Sequence, residues 1–150
     1  MPRTKPLKVL IVEDEALLAM DVESMVEDSG HVVVGEAASL YDVEALKADI
    51  DPDLAFVDMH LAKGTNGLDV CALIQKRWAD AIIIFVTANP SKVPPDFAGA
   101  HGIIAKPFSR NTFMSAIQYI GEILVSPPPS TAKPGDLVAS TTLTASFAPS

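Results

Sequence analysis

Short apolar runs alternate along the chain with segments whose apolar positions recur at helical spacing. Leu7–Val12 reads as a buried strand. In "EALLAMDVESMVEDSG", residues 15–30, Leu18, Val22 and Met25 share one helical face, and Gly30 supplies a stop. "HVVVGEA" reads as a second strand. "SLYDVEALKAD" opens with Ser39 and carries Asp42 three residues on, a variant of the capping box before a helix. Leu54–Val57 is a third strand, and "GLDVCALIQKRW" is a helix with Leu68, Cys71 and Ile74 on one side. "AIIIFVTA" is a fourth strand, dense in β-branched residues. "GIIA" is a fifth. "SRNTFMSAIQYIGEIL" closes the series as a helix with Phe113, Ile117, Ile120 and Leu124 on one face.

Two stretches depart from this rhythm. "NPSKVPPDFAGA" holds Pro90, Pro94 and Pro95, so any helix between strands four and five must be short and start near Pro95 or Asp96. From Ser126 the sequence turns rich in Ser, Thr, Pro and Ala and reads as a mostly disordered tail, 126–150, with "DLVAS" and "SFA" as weak docking elements at most. The patterned region is then one domain, 7–125. Strands alternating with helices imply βαβ units, right-handed crossovers and a parallel sheet covered on both faces. Strands that are apolar throughout, rather than alternating, fit that burial.

Composition narrows the classes. The chain has 150 residues, with 49% hydrophobic and 20% charged, ordinary for one globular domain with a sizeable core. No apolar run approaches the roughly 20 residues needed to cross a bilayer. The run Val9–Val12 is too short for a signal peptide, so the expected location is cytoplasmic. A net charge of −8 argues against gripping nucleic acid and fits a protein that binds cations. The single cysteine, Cys71, excludes an internal disulfide and reads as a core residue.

The polar residues that close the strands carry the chemistry. In an open parallel sheet, ligands bind beyond the carboxyl ends of the strands. Strand one ends on Glu13 and Asp14, strand three on Asp58, strand four on Thr87 and strand five on Lys106. Carboxylates gathered in one crevice repel each other, and a hard divalent cation such as Mg²⁺ relieves that. Lys106 adds a second positive charge and Thr87 a hydroxyl. This is equipment for phosphoryl transfer, which is mainly positioning and charge neutralisation. Carboxylates serve there as nucleophiles that form an aspartyl-phosphate, so Asp58 reads as the phosphate acceptor.

With "VLIVEDE", "FVDMHL…GTNGLD", "IIFVTA" and "GAHGIIAKPF" in that order, each at a strand end, residues 7–125 resemble the response-regulator receiver domain of two-component signalling. The resemblance implies a flavodoxin-like, doubly wound α/β fold with five parallel strands in the order 2-1-3-4-5. It implies Mg²⁺ held by Glu13, Asp14, Asp58 and the backbone carbonyl of Met59. It implies that Asp58 takes a phosphoryl group from a histidine kinase or histidine phosphotransfer protein. Thr87 then contacts that group and Lys106 pairs with Asp58 or its phosphate. The bond from Lys106 to Pro107 is often cis in such domains. The chain would be a signalling protein that acts only on its own phosphorylation and dephosphorylation, without nucleic acid or membrane as a partner. Residues 126–150 carry no pattern of an output domain, so the expectation is either a stand-alone receiver or a piece of a longer protein, and the unpatterned tail favours the first.

Two positions depart from the family pattern. Receivers commonly carry an aromatic residue three before the lysine, where this chain has Ile103. The prolines between strands four and five alter a face through which many receivers pair. His60, two residues past Asp58, lies where it would border the pocket, whereas Gly64 and Gly67 read as turn geometry. Three other functions stand beside the switch. One is a phosphorelay shuttle or sink, and another an interaction module independent of phosphate. The third, a small aspartyl-phosphate phosphatase, is poorly matched, because no second acid sits two residues after Asp58.

Overall fold

The computed structural model describes residues 6–125, 133 and 137–139. The elements follow in the order β1 (Lys8–Val12), α1 (Ala16–Asp28), β2 (Val32–Ala37), α2 (Leu40–Ala45), β3 (Leu54–Asp58), α3 (Gly67–Arg77), β4 (Ile82–Thr87), β5 (Gly102–Ala105), α4 (Arg110–Val125) and β6 (Leu137–Ala139), with single 3₁₀ turns between some of them. They build one sheet in the order β2-β1-β3-β4-β5-β6. The first five strands pair in parallel and carry the 2-1-3-4-5 order expected. β6 adds antiparallel on the outer edge of β5.

Strand alternation divides the core in two. Val9, Ile11, Leu54, Phe56, Ile84, Val86 and Ile104 point to the layer formed by α1 and α4. Leu10, Val12, Ala55, Val57, Ile83, Phe85 and Ile103 point to the layer formed by α2 and α3. Apolar residues at every position of a strand are what burial on both faces requires. α4 fills the first layer with Phe113, Ile117 and Ile120, the face its spacing predicted. The Phe113 ring lies 4.8 Å from Phe56 and 4.8 Å from Phe108. At α2, the Ser39 hydroxyl accepts from the Asp42 N–H and the Asp42 carboxylate accepts from Ala38 N–H, so the capping residues act as a pair. In the second layer, the Trp78 indole donates to the Ala48 carbonyl at 2.8 Å, and the Arg77 guanidinium caps the Val43 and Leu46 carbonyls, both at 2.6 Å.

Two stretches depart from the regular alternation of strand and helix. Between β4 and β5 no α-helix forms among the described residues. The connector makes two 3₁₀ turns, Pro90–Lys92 and Phe97–Gly99. Asp96 does cap the second turn, accepting from the Ala98 N–H at 3.0 Å. The next three residues, Phe97, Ala98 and Gly99, all take left-handed φ values, which a right-handed helix cannot continue. Gln75 on α3 then holds the turn, its side-chain amide donating to the Ala98 carbonyl at 3.3 Å. The second lies in the expected tail, within the "DLVAS" stretch that reads as a weak docking element. Its residues Leu137–Ala139 form a sixth strand, and Leu137 is fully buried in the first core layer. The other docking stretch expected in that tail, "SFA", lies outside the described residues.

Two histidines bind the sheet to its connections. His31 Nδ1 accepts the Leu7 N–H and His101 Nδ1 accepts the Ile83 N–H, both at 3.0 Å. Each imidazole must be neutral to accept, and burial holds both below their ordinary value of 6.5. A depressed histidine pKa means that the unfolded chain binds more protons than the folded one. The stability these groups contribute is therefore present above about pH 6.5 and is lost as pH falls below it. We expect the stability difference between wild type and a His31→Asn, His101→Asn double variant to shrink from pH 7.5 to 5.5. Urea unfolding at stepped pH measures it, and a constant difference would show that neither imidazole is held neutral.

Candidate functional site

Because β1, β3, β4 and β5 run parallel, their carboxyl ends open on one edge. Register places Val12 beside Val57, Asp58 beside Val86 and Thr87 beside Ala105. The chain bends to helix or loop just past each of these residues, so the strand-closing polar groups meet there. Among the described residues, Glu13, Asp14 and Asp58 form a group of carboxylates that could hold one ion. One oxygen from each lies within 4.8 Å of the others. Lys106 reaches into the same crevice. Its ammonium lies 3.1 Å from Asp58 Oδ2 and 3.1 Å from Glu13 Oε1. Glu13 and Asp58 are each only 8% exposed, whereas Asp14 faces solvent.

The remaining oxygens of the two buried acids are bonded locally. Glu13 Oε2 accepts the Glu15 N–H at 3.0 Å, and Asp58 Oδ1 accepts the His60 N–H at 3.3 Å. The Glu13 carboxyl is raised to about 7 as a balance: burial pushes it up most, the Glu15 N–H pulls it down, Asp58 pushes it up and Lys106 pulls it down. Burial alone would lower the Lys106 pKa, but its bonds to Asp58 and Glu13 and their charges outweigh burial and raise it. One lysine thus serves two buried acids without fully neutralising them. A hard divalent cation is the group these residues fit, because oxygen ligands of this charge and spacing suit Mg²⁺ or its like. Its entry would release the proton that Glu13 holds near neutrality.

Not every residue expected at the site presents its functional atom. Thr87 is fully buried at the end of β4, and its hydroxyl accepts the Asn89 N–H at 3.0 Å, turned into its own turn. The Lys106 N–H donates to the Thr87 carbonyl at 2.8 Å, so the two strand ends are tied through backbone. The Met59 carbonyl accepts the Gly67 N–H at 2.9 Å. A carbonyl has a second lone pair, so this bond leaves it able to face an ion. His60 is exposed at the rim and bonds Asp58 through its backbone rather than its ring. The peptide bond between Lys106 and Pro107 is cis. A cavity of about 610 Å³ opens beside Lys106, lined among others by Leu18, Met25, Pro107 and Phe108.

Two features escaped the sequence. The Glu13–Lys106 pair joins positions 93 apart, and no local pattern announces it. Gly67 was expected to supply turn geometry; it instead opens α3 against the Asp58 backbone, where a Cβ would meet the Asp58 carbonyl oxygen at 2.4 Å. Gly64 does fit the turn reading, with φ of 69°.

A five-stranded doubly wound core with an acidic crevice and a lysine at its carboxyl edge defines a receiver fold. Residues 9–118 match the family of the response regulator receiver domain, and the chain belongs to that family. Phosphorylation-dependent switching is that family's general behaviour. The chain is 36% identical over 108 residues to the phyllosphere-induced regulator PhyR of Methylorubrum extorquens, covering 67% of this chain and 38% of that protein. It is 33% identical over 115 residues to the transcriptional regulatory protein PdtaR of Mycobacterium tuberculosis, covering 75% of this chain and 56% of that protein. The match thus spans about half or less of either relative's length. Among solved structures, the receiver domain of PhyR from Erythrobacter litoralis superposes with a TM-score of 0.69 at 29% identity, covering 82% of this chain and 95% of that one. No helix among the described residues is long and apolar enough to cross a membrane.

Proposed function

We propose that the chain is a phospho-accepting switch in which Asp58 receives a phosphoryl group from a phosphohistidine of a histidine kinase or phosphotransfer protein. The observation that carries this reading is the contact of Lys106 with Asp58 in a crevice shared with Glu13 and Asp14. In the transfer, a carboxylate oxygen of Asp58 forms a P–O bond as the P–N bond to the donor imidazole breaks, and the freed imidazole nitrogen takes up a proton. Glu13, Asp14, Asp58 and the Met59 carbonyl would hold Mg²⁺, which supplies charge neutralisation on the phosphoryl oxygens. Lys106 neutralises the rest. The new group brings about −1.5 to −2 charge. Thr87 would have to give up its bond to Asn89 to reach it. Its backbone tie to Lys106 offers a route from Asp58 to β5.

The chain is thereby not an enzyme acting on other substrates; it catalyses only its own gain and loss of phosphate. A donor must approach from the open edge. There α1 exposes Leu17 and Met20, at 74% and 61%, close in sequence to the cavity lined by Leu18 and Met25. These apolar groups suit a protein donor better than a small one. The downstream partner would be a protein whose affinity differs between the two states.

Intact mass after incubation with Mg²⁺ and phosphoramidate tests the assignment. Wild type is expected to gain about 80 Da, one phosphoryl group, and Asp58→Asn to gain nothing. Equal gain by both proteins would move the acceptor elsewhere, and no gain by either, with Mg²⁺ binding also absent, would overturn the reading.

A further inference from the structure

The loop between β3 and α3 carries Met59 and His60, and it folds as a closed hairpin. Its neck is built from the Gly67 N–H on the Met59 carbonyl at 2.9 Å, a bridge of His60 with Asn66, and the Leu61 N–H on the Thr65 carbonyl at 3.2 Å. One side of that neck is fixed to α3. Gly67 opens the helix against the Asp58 backbone, and the Asn66 side chain caps it, accepting the Asp69 N–H at 2.9 Å. The tip of the loop turns through Lys63 and Gly64, both left-handed, with φ of 60° and 69°. A lysine seldom takes that conformation, so the turn needs a bond to keep it closed. Thr65 supplies it. Its hydroxyl donates to the Ala62 carbonyl at 2.7 Å, across the two left-handed residues, and its N–H reaches the same carbonyl at 3.3 Å. The hydroxyl also accepts the Leu40 N–H of α2 at 3.3 Å, beside a bond from the Ala62 N–H to the Ala38 carbonyl at 2.9 Å. One half-buried hydroxyl thus locks the tip and ties it to the neighbouring turn.

We propose that Thr65 is a positioning residue for the cation site: its hydroxyl holds the loop closed and so fixes where the Met59 carbonyl points. Its role rests on the Mg²⁺ site of the proposed function. The carboxylates of Glu13, Asp14 and Asp58 can follow an ion by turning side-chain bonds, whereas a backbone carbonyl points where its loop points. Mg²⁺ demands near-ideal geometry of its ligands, so a carbonyl turned aside weakens binding even with every carboxylate in place. Loss of the Thr65 hydroxyl leaves the Leu40 N–H without its partner and the Ala62 carbonyl with one bond fewer, and it frees the left-handed turn to open. The neck then loosens from the tip downward, Leu61 to Thr65 first and Met59 to Gly67 last. A merely structural role would act through α2, whose first N–H the same hydroxyl holds. That route can be tested separately, because the Ser39 hydroxyl caps α2 from the helix's own end.

The experiment compares the full chain with its Thr65→Val, Thr65→Ser and Ser39→Ala variants. Each is titrated with MgCl₂ by calorimetry in one buffer. Amide exchange is followed without the ion at Gly67, whose N–H reports the Met59 carbonyl, and in β1 as a control for the fold. Valine keeps the shape of threonine without the hydroxyl, and serine keeps the hydroxyl. Thr65→Val should raise the Mg²⁺ dissociation constant by about tenfold, the low end of the range for losing an outer partner of a metal ligand. Its Gly67 exchange should rise by about tenfold while β1 stays protected. Thr65→Ser should stay near wild type in both. Ser39→Ala weakens the cap of α2 and should also leave both near wild type. Mg²⁺ affinity within about twofold of wild type in Thr65→Val would overturn the proposal. So would unchanged Gly67 exchange, a serine variant as weak as the valine one, or equal losses in Ser39→Ala. Asp58→Asn binding Mg²⁺ as tightly as wild type would instead overturn the metal site itself, and Gly67 exchange alone then decides whether Thr65 holds the loop. If Thr65→Val also speeds exchange in β1, Thr65→Ala takes its place under the same criteria.

Discussion

Lys106→Met is expected to slow phosphoryl uptake at Asp58 by about two to three orders of magnitude, the range found when one preorganised electrostatic partner is removed from a reacting centre. Methionine keeps most of the side chain's length and bulk and removes only its charge. In wild type the Lys106 ammonium touches Asp58 and Glu13 at the same 3.1 Å, so its loss leaves two buried acids facing each other. Glu13, already pushed up to about 7, would rise further and hold its proton at neutral pH. The variant should therefore lose rate through missing charge on the transferring group and through weaker cation binding. The time course of mass gain with phosphoramidate at several Mg²⁺ concentrations separates the two. Saturating Mg²⁺ should recover the second loss and not the first. A variant as fast as wild type would remove Lys106 from the chemistry and leave it as a structural ion pair.

Gly67→Ala is expected to cost about 1–3 kcal/mol of stability, although the same change at an ordinary helix position stabilises by roughly 0.5–1 kcal/mol. The sign is reversed by packing. The added methyl would lie 2.4 Å from the Asp58 carbonyl oxygen and 2.9 Å from Met59 Cα, both backbone atoms that no rotamer change can move away. α3 must slide from β3, and its first N–H then leaves the Met59 carbonyl. Urea unfolding should show the loss, and Mg²⁺ titration should show weaker binding because the Asp58–Met59 backbone is displaced with it. A variant as stable as wild type would mean that α3 yields at no cost, and that the close approach does not hold the site's geometry.

The family was legible because its signals are local. A strand of apolar residues on both faces, closed by a carboxylate, can be read without knowing what lies beside it. Glu13, Asp14, Asp58, Thr87 and Lys106 each close a strand. Parallel order then sends all five to one edge, as the parallel registers show. The division of labour among them was not legible. That Lys106 serves Glu13 as well as Asp58, and that Thr87 turns its hydroxyl to Asn89, depends on atoms placed by distant parts of the chain. The connector after β4 shows the intermediate case. Its prolines foretold a broken helix, but the left-handed turn at Phe97–Gly99 depends on α3, where Gln75 binds the Ala98 carbonyl.

The sequence by itself determined the alternation of strands and helices, the five-stranded parallel core and the identity of the strand-closing residues, because hydrophobic period and strand length act over a few neighbouring positions. Tertiary structure alone decided three things. It raised the Glu13 pKa by burial. It pressed Gly67 against the backbone of Asp58. It seated Leu137–Ala139 on the edge of β5, where a stretch of low-complexity composition finds a partner only because Gly102 leaves room and the first core layer has a place for one leucine. Burial, close approach and edge pairing are properties of atoms brought together from far apart in the chain, and no window of sequence contains them.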